Sequence, residues 1–329
     1  MKQTLEKLFN SETLSKEEAK AILIRVASAE FNDAQVASFL TVFNARKITL
    51  AEFSGFRDAM LELCIPINLG GVKVMDLCGT GGDGKDTFNI STLSSFVTAA
   101  SGVKVAKHGN KSVSSKCGSS NVLEYLGVPF YKTEQELRGQ LNDNGICFLH
   151  APLFHPAMKN IGHVRRILGV KTFFNMLGPL VNPARPQAQL AGVFSAEVAR
   201  LYNYILQEEG IDFAVVHDLN GYDEISLTGP VKIFNSEGEL LLHPSDFGVT
   251  ANQPEELFGG NDVPSSAKIF LDVLKGNGTN AQNNVVAANA GLAISTYKNI
   301  AIKIAVEEAM EMLQTGKALA VFESTIETK

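Results

Sequence analysis

Between Cys78 and Leu93 the chain reads Gly79-Thr80-Gly81-Gly82-Asp83-Gly84-Lys85-Asp86-Thr87-Phe88-Asn89-Ile90-Ser91-Thr92, four glycines in six residues followed by amide and hydroxyl side chains. Glycine lets backbone N–H groups approach an anion closely, and a helix starting behind such a loop presents its positive end. Phosphate binding is the chemistry this segment predicts. Two familiar phosphate patterns nearly fit and fail. Gly79, Gly81 and Gly84 match a dinucleotide fingerprint, but the acid expected about 20 residues further on is missing, since none occurs between Asp86 and Glu124. Gly84-Lys85 matches the end of a Walker A loop, but Asp86 stands where a magnesium-binding Ser or Thr belongs.

The acid-free stretch is basic instead. Lys107-His108-Gly109-Asn110-Lys111-Ser112-Val113-Ser114-Ser115-Lys116 runs on through Cys117 and Gly118 to Ser119, mixing positive charge with hydroxyls and glycines. That composition suits a polyanion such as pyrophosphate, held by charge-assisted hydrogen bonds. Further along, Asp223 and Glu224 are adjacent acids in Asn220-Gly221-Tyr222-Asp223-Glu224-Ile225-Ser226. Adjacent carboxylates are often plain surface charge; beside a pyrophosphate they are good oxygen ligands for magnesium. Arg165 follows the proline-kinked segment His150 to Met158 and could clamp a carboxylate with its forked guanidinium.

These residues need elements to hold them. Residues 1–65 read as helices only. Ser15–Glu18 and Thr49–Glu52 each fit a capping box, and apolar stripes at helical spacing follow, such as Val36, Phe39, Leu40 and Phe43. Cys64 to Gly71 breaks the pattern as a hinge. Beyond it strand and helix alternate, with strands expected at Val72–Cys78, Val103–Ala106, Ile146–Leu149 and Phe213–Val216. Helices are expected at Ser94–Ala100, Val122–Leu126 and Ile300–Leu313. Such alternation predicts an α/β domain with a mostly parallel sheet. The division is therefore a helical N-terminal domain over 1–65 and an α/β domain over 72–329.

Composition narrows the partners. In 329 residues, 35 acids against 29 bases give a net charge of −6, which argues against nucleic acid or an anionic membrane as the partner. The four cysteines form no CxxC pair, so a disulfide framework or structural zinc site is not expected. No apolar signal segment opens the chain, and no apolar run reaches the roughly 20 residues of a membrane helix. A cytoplasmic protein is expected.

Taken together, Asp76–Thr92, Lys107–Gly127, Phe148–Met158 and Arg165–Pro183 resemble the blocks of the anthranilate phosphoribosyltransferase family. GTGGD, NIST, KHGN and FNMLGPLVNP in that order carry the resemblance. It implies a magnesium-dependent glycosyltransferase that moves phosphoribose from 5-phosphoribosyl 1-pyrophosphate to the amine of anthranilate in tryptophan biosynthesis. It also implies two magnesium ions per subunit, a cleft between the domains, and a homodimer formed through the helical domain. By the same resemblance Gly79, Gly82, Asp83, Thr87, Asn89, Ser91, Thr92, Lys107 and Ser119 contact the phosphoribosyl pyrophosphate, with Ile90, Gly109 and the loop Lys111 to Ser115 beside it. Ser91, Asp223 and Glu224 hold magnesium, while Asn110 and Arg165 receive anthranilate with Gly79 and His108 nearby. An aromatic amine is neutral at pH 7, so no catalytic base is expected. Asn121 and Lys171 depart from the family's usual Asp and Arg. A pyrimidine nucleoside phosphorylase would be expected to carry Ser-Gly-Arg where this chain has His108-Gly109-Asn110, and nucleic-acid-binding relatives of the fold lack intact phosphate loops.

Overall fold

The helices that open the chain begin where short polar signals place them. α1 (Lys2–Phe9), α2 (Lys16–Ala27), α3 (Asp33–Ala45) and α4 (Leu50–Leu63) fill the first 65 residues in the structure, a computed structural model that describes residues 1–111 and 117–327. Both capping boxes form. Ser15 accepts from the Glu18 amide and Thr49 from the Glu52 amide, while each glutamate accepts from the cap residue's own N–H. α3 carries a third box, Asn32 with Gln35. Glu52 also ties the bundle together, because its fully buried carboxylate accepts from the Leu14 amide at 3.0 Å and from both terminal nitrogens of Arg46. Burial pushes its carboxyl up, and the bonds from Arg46, Thr49 and Leu14 outweigh that and hold it below the usual range.

This helical unit is discontinuous, comprising Met1–Pro66 and Ala151–Pro183. The second segment supplies α8 (Ala151–Phe154), α9 (Met158–Leu168) and α10 (Phe174–Leu177). It is sewn to the first by Asn160 Nδ2 donating to the Ala27 carbonyl at 2.7 Å, Asn44 Nδ2 to the Lys171 carbonyl at 2.8 Å, and His163 against Asp33. Aromatic rings make its core. Phe173 stacks on Phe56 with centroids 4.4 Å apart and meets Phe39 and Phe43 edge-on.

The second unit, Ile67–His150 with Ala184–Lys329, is built on a seven-stranded sheet. Its strands are β1 (Met75–Gly79), β2 (Val105–Gly109), β3 (Ile146–His150), β4 (Ala188–Gly192), β5 (Asp212–Asp218), β6 (Val231–Asn235) and β7 (Gly238–Leu242). The order is β3-β2-β1-β4-β5-β6-β7; the first five run parallel and the last two antiparallel. The chain winds outward from β1 to β3, then returns to lay β4 on the other side of β1. That reversal is a topological switch point, where loops diverge and leave a crevice at the carboxyl ends of the strands.

Register sets those ends level. Gly79 pairs with Gly192, and Gly109 with His150. Helices α5 (Ile90–Ala100), α6 (Ser119–Tyr125), α7 (Glu134–Asn144), α11 (Ala196–Glu209), α12 (Val263–Leu274), α13 (Asn280–Lys298), α14 (Ile302–Gln314) and α15 (Lys317–Glu327) complete the unit. Every residue of α13 from Val285 to Ile294 is buried, as expected of a helix apolar on all sides. No helix among the described residues is long and apolar enough to cross a membrane.

Phe173 is 2% exposed and lies between three rings of the first segment. Phe173→Ala is expected to lower the unfolding free energy of the helical unit by about 3–5 kcal/mol. Denaturant unfolding followed by near-UV circular dichroism checks this; a loss below about 1 kcal/mol would show that the second segment is only draped on the bundle.

Candidate active site

The glycine loop leaves the end of β1, and α5 begins directly behind it at Ile90. The acid pair lies on the turn after β5, and its two carboxylates are fastened to that loop. Asp223 Oδ2 accepts from the Gly81 amide at 2.6 Å, and Glu224 Oε1 accepts from the Ser91 amide in the first turn of α5 at 2.9 Å. Two glycines make the approach possible. A Cβ on Gly79 would lie 2.4 Å from Asp223 Oδ2, and one on its register partner Gly192 would lie 1.6 Å from the Asp223 carbonyl oxygen. Neither space admits a side chain. The two strand ends at the switch point thus form a cradle that Asp223 fills, and a small cavity there is lined by Gly79, Ser91, Gly192, Asp223, Glu224 and Asn289 among others.

Electrostatics sharpen the picture. Burial pushes the Asp223 carboxyl up, and the neighbouring Asp83 carboxylate pushes it further against the pull of the Gly81 amide. Glu224 is raised by burial and then by Asp223 and Asp83, with the Ser91 amide and Lys107 acting the other way. Two adjacent carboxylates held on one turn have the hard oxygen donors that a divalent cation takes. The cage is open, since among the described residues no group of three His, Cys, Asp or Glu side chains is placed to hold a metal. One or two carboxylates completed by phosphate oxygens is the donor set of magnesium rather than of a closed protein-only site. The residues present fit that ion.

Around this centre the structure places the other expected residues. Gly82 and Asp83 are half-buried in the loop, and the Asp83 carboxylate accepts from the Lys85 amide. Thr87 bridges Phe258, and Asn89 Nδ2 donates to the Cys117 carbonyl at 3.2 Å. Ile90 and Thr92 are buried in the first turn of α5. Lys107 is buried on β2 with Nζ donating to the Leu77 carbonyl at 2.5 Å, so its charge pins β2 to β1 beneath the loop. His108 is buried too, its amide donating to Asp76. Gly109 ends β2, and a Cβ there would meet Ser119 Oγ at 2.7 Å. The Asn110 carbonyl accepts from Ser119 Oγ and from the Ser120 amide, both at 3.2 Å. Lys111 pairs with Glu124 at 2.7 Å. Ser112, Val113, Ser114 and Ser115 lie outside the described residues.

Arg165 belongs to the helical unit. Its guanidinium lies 5.3 Å from the centre of the Phe174 ring, and Nη2 donates to Asn175 Oδ1 at 3.2 Å. Its buried Nε has no partner among the described residues, and no carboxylate pairs with it there. Burial pulls its pKa below the usual value. A half-buried guanidinium in that state is a ready receptor for an anion.

Three contributors escaped the sequence reading. Gly192 ends a strand, Ala188–Gly192, that lacks β-branched residues. Asp218, fully buried at the end of β5, accepts from the amides of Asn220 and Ser226 and from Ser226 Oγ. Asn289, the one polar side chain in the buried run of α13, grips the backbone of Ile225. That isolated polar residue was the available signal. The Asn121 departure is benign in shape, because Oδ1 accepts from the Gly118 amide at the start of α6 as an aspartate would.

Fold and site define a glycosyl transferase of two-domain build: the helical bundle domain of the glycosyl transferase family matches residues 2–64, and its a/b domain residues 71–319. The sequence is 55% identical to the anthranilate phosphoribosyltransferase of Christiangramia forsetii, over 98% of this chain and 97% of that one. The chain belongs to the anthranilate phosphoribosyltransferase family. Its structure is similar to the crystal structure of anthranilate phosphoribosyltransferase from Thermus thermophilus, with a TM-score of 0.91 at 34% identity over 98% of each chain. It is likewise similar to the enzyme from Saccharomyces cerevisiae in complex with PRPP and Mg, with a TM-score of 0.90 at 27% identity over 98% of this chain and 96% of that one.

The raised Asp223 carboxyl makes stability depend on pH in a definite direction. The folded chain keeps protons that the unfolded chain releases, so this contribution is present below about pH 4 and is lost as pH rises towards about 7. Asp223→Asn removes one of the costly ionisations and keeps an oxygen for the Gly81 amide. Without metal, the variant is expected to melt at least about 2 °C above the parent at pH 8, a shift worth roughly 1 kcal/mol, with the gap closing towards pH 4. Thermal scans in chelator at the two pH values decide it; a variant less stable at pH 8 would refute the electrostatic reading.

Proposed function

We propose that this chain transfers the phosphoribosyl group of 5-phosphoribosyl 1-pyrophosphate to the amine of anthranilate, giving N-(5-phosphoribosyl)anthranilate and pyrophosphate in tryptophan biosynthesis. The observation that carries the reading is the acid pair fastened to the glycine loop at the switch point of the sheet. It unites a phosphate cradle with a cation site, as a pyrophosphate leaving group requires.

In the reaction the bond from ribose C1 to the pyrophosphate oxygen breaks, and its electron pair leaves with pyrophosphate. The neutral amine gives its lone pair to C1 and then loses a proton. Gly79, Gly82, Asp83, Thr87, Asn89, Ser91 and Thr92 hold the sugar phosphate on the loop and on α5. Lys107 and the loop from His108 to Ser115, with Ser119, present donors and positive charge to the pyrophosphate. Ser91, Asp223 and Glu224 would hold magnesium, with two ions per subunit as the proposed complement. Magnesium bound there supplies positive charge to the departing pyrophosphate oxygens. Asn110 is assigned to the acceptor, with His108 behind it.

Arg165 takes the carboxylate of anthranilate; supporting this, among the described residues its Nε is unpartnered and no carboxylate pairs with it. Positioning supplies much of the rate, since well-oriented reactants gain roughly 7–11 kcal/mol. Anthranilate fluorescence is expected to fall when phosphoribosyl pyrophosphate and magnesium are added; no change would overturn the function. Arg165→Ala is expected to raise the KM for anthranilate by about ten- to a hundredfold, for roughly 1.5–3 kcal/mol lost, without weakening phosphoribosyl pyrophosphate binding. Equal weakening of both substrates would place Arg165 elsewhere.

We also assign the chain to the cytoplasm and to a homodimer. A groove of about 590 Å³ on the helical unit, lined by Leu8, Phe9, Ala37, Thr41, Val42 and Ala45 among others, supports a second copy as its occupant. Phe9 in that groove is 63% exposed. Sedimentation should give a dimer for the parent and a monomer for Phe9→Glu; a monomeric parent refutes the assembly.

A further inference from the structure

Ile225 follows Glu224 directly, and both polar groups of its backbone are taken by one side chain. Asn289 Oδ1 accepts from the Ile225 amide at 3.0 Å, and Asn289 Nδ2 donates to the Ile225 carbonyl at 2.9 Å. The same Nδ2 donates to the Val285 carbonyl one turn back in α13 at 2.8 Å. A side-chain amide accepts through one atom and donates through another, so it can take both groups at once; a carboxylate lacks the donors and an aliphatic chain lacks both. Asn289 is 4% exposed within an otherwise apolar run, where an unpaired amide would be costly. Its pairing with Ile225 explains why a polar residue stands there.

The turn it grips is held against local preference. Leu227, two residues further on, is buried and has φ of +59°, a left-handed conformation uncommon for a residue with a branched side chain. Asp218 fixes Ser226, and the Asn252 amide donates to the Leu227 carbonyl, so the far side of the turn is secured. On the near side the grip is Asn289. The helix that bears it also takes hold of α5, because Ser94 Oγ donates to the Val286 carbonyl at 3.3 Å. One helix therefore sets both the acid pair, through the Asn289 side chain, and the Ser91 amide that donates to Glu224, through the Val286 backbone carbonyl, which a change of the Val286 side chain leaves in place.

We propose that Asn289 is a positioning residue for the metal-holding acids: it fixes the Ile225 backbone so that Glu224 and Asp223 face the loop in the spacing a divalent cation needs. This rests on the reading of Asp223 and Glu224 as magnesium holders. Groups behind ligating carboxylates typically change metal affinity about ten- to a hundredfold when removed.

The test measures metal affinity apart from turnover, with manganese ion as the probe. Its binding to the full-length protein in the presence of phosphoribosyl pyrophosphate is titrated by electron paramagnetic resonance for the parent, Asn289→Leu and Val286→Ala. Val286 is a buried neighbour on the same helix and controls for simple loss of core packing. Asn289→Leu is expected to raise the manganese Kd at least about tenfold, while Val286→Ala stays within about twofold despite a lower Tm. A folded Asn289→Leu protein with parental affinity overturns the inference and leaves the magnesium reading standing, as does an equal shift in Val286→Ala. A parent that binds no manganese overturns the magnesium reading itself. Should Asn289→Leu fail to fold, amide hydrogen exchange of the parent decides: strong protection of the Ile225 amide is expected, and exchange as fast as in an open loop refutes the grip.

Discussion

Two hydrogen bonds hold the α/β unit in its working shape: the Gly81 amide to Asp223, and the Ser91 amide to Glu224. They join turns that are 142 and 133 residues apart in sequence. Much else follows from them. Gly79 and Gly192 must be bare because the acidic turn lies directly against the paired strand ends they terminate. The sheet must reverse its winding between β1 and β4, or no crevice would open there. The bonds also give each carboxylate an N–H partner, which offsets part of the cost of burying two acids side by side.

The distribution of charge has a second aspect. The lysines that mark the basic loop are partly engaged within the chain, Lys107 on the Leu77 carbonyl and Lys111 on Glu124. Lys107 is buried with its ammonium held on that carbonyl, so it sets up a field beneath the loop that is felt by Glu224. A field set up before the ligand arrives needs no reorganisation during the reaction, which is where preorganised charge is most effective. Arg165 differs: it is half-buried, with Nε unpartnered among the described residues, and that is the geometry behind its proposed role towards a carboxylate.

The sequence disclosed the parts whose chemistry restricts residue type. A phosphate loop requires glycines and a cation site requires acids, so Gly79 to Thr92 and Asp223-Glu224 stood out without any knowledge of the fold. The capping boxes at Ser15 and Thr49 were legible for the same local reason, while the Asn32–Gln35 box used less distinctive residues. Hidden from view were features defined by distant neighbours. β4 is Ala-Gln-Leu-Ala-Gly, with no strand-forming bias of its own, and it is a strand because β1 and β5 flank it. Gly192 owes its identity to the backbone of Asp223, and Asn289 to that of Ile225. α5 begins at Ile90, four residues before its apolar stripe suggests, since its first turn serves both sides: Ile90 is buried in the core while the Ser91 amide donates to Glu224.

The split of the helical unit into Met1–Pro66 and Ala151–Pro183 has a consequence for how the protein is made. On the ribosome α1 to α4 emerge first, but Phe173, the ring that stacks on Phe56, comes only after β1, β2 and β3 have been synthesised. At roughly 5–20 residues per second the wait is on the order of 10 s. Through that interval Phe39, Phe43 and Phe56 lack the ring they surround in the finished protein. The nascent chain therefore carries an unfinished aromatic face while the first half of the sheet is being extruded. The stage of synthesis most exposed to misassociation falls between residues 66 and 183, and a slow codon there would lengthen it.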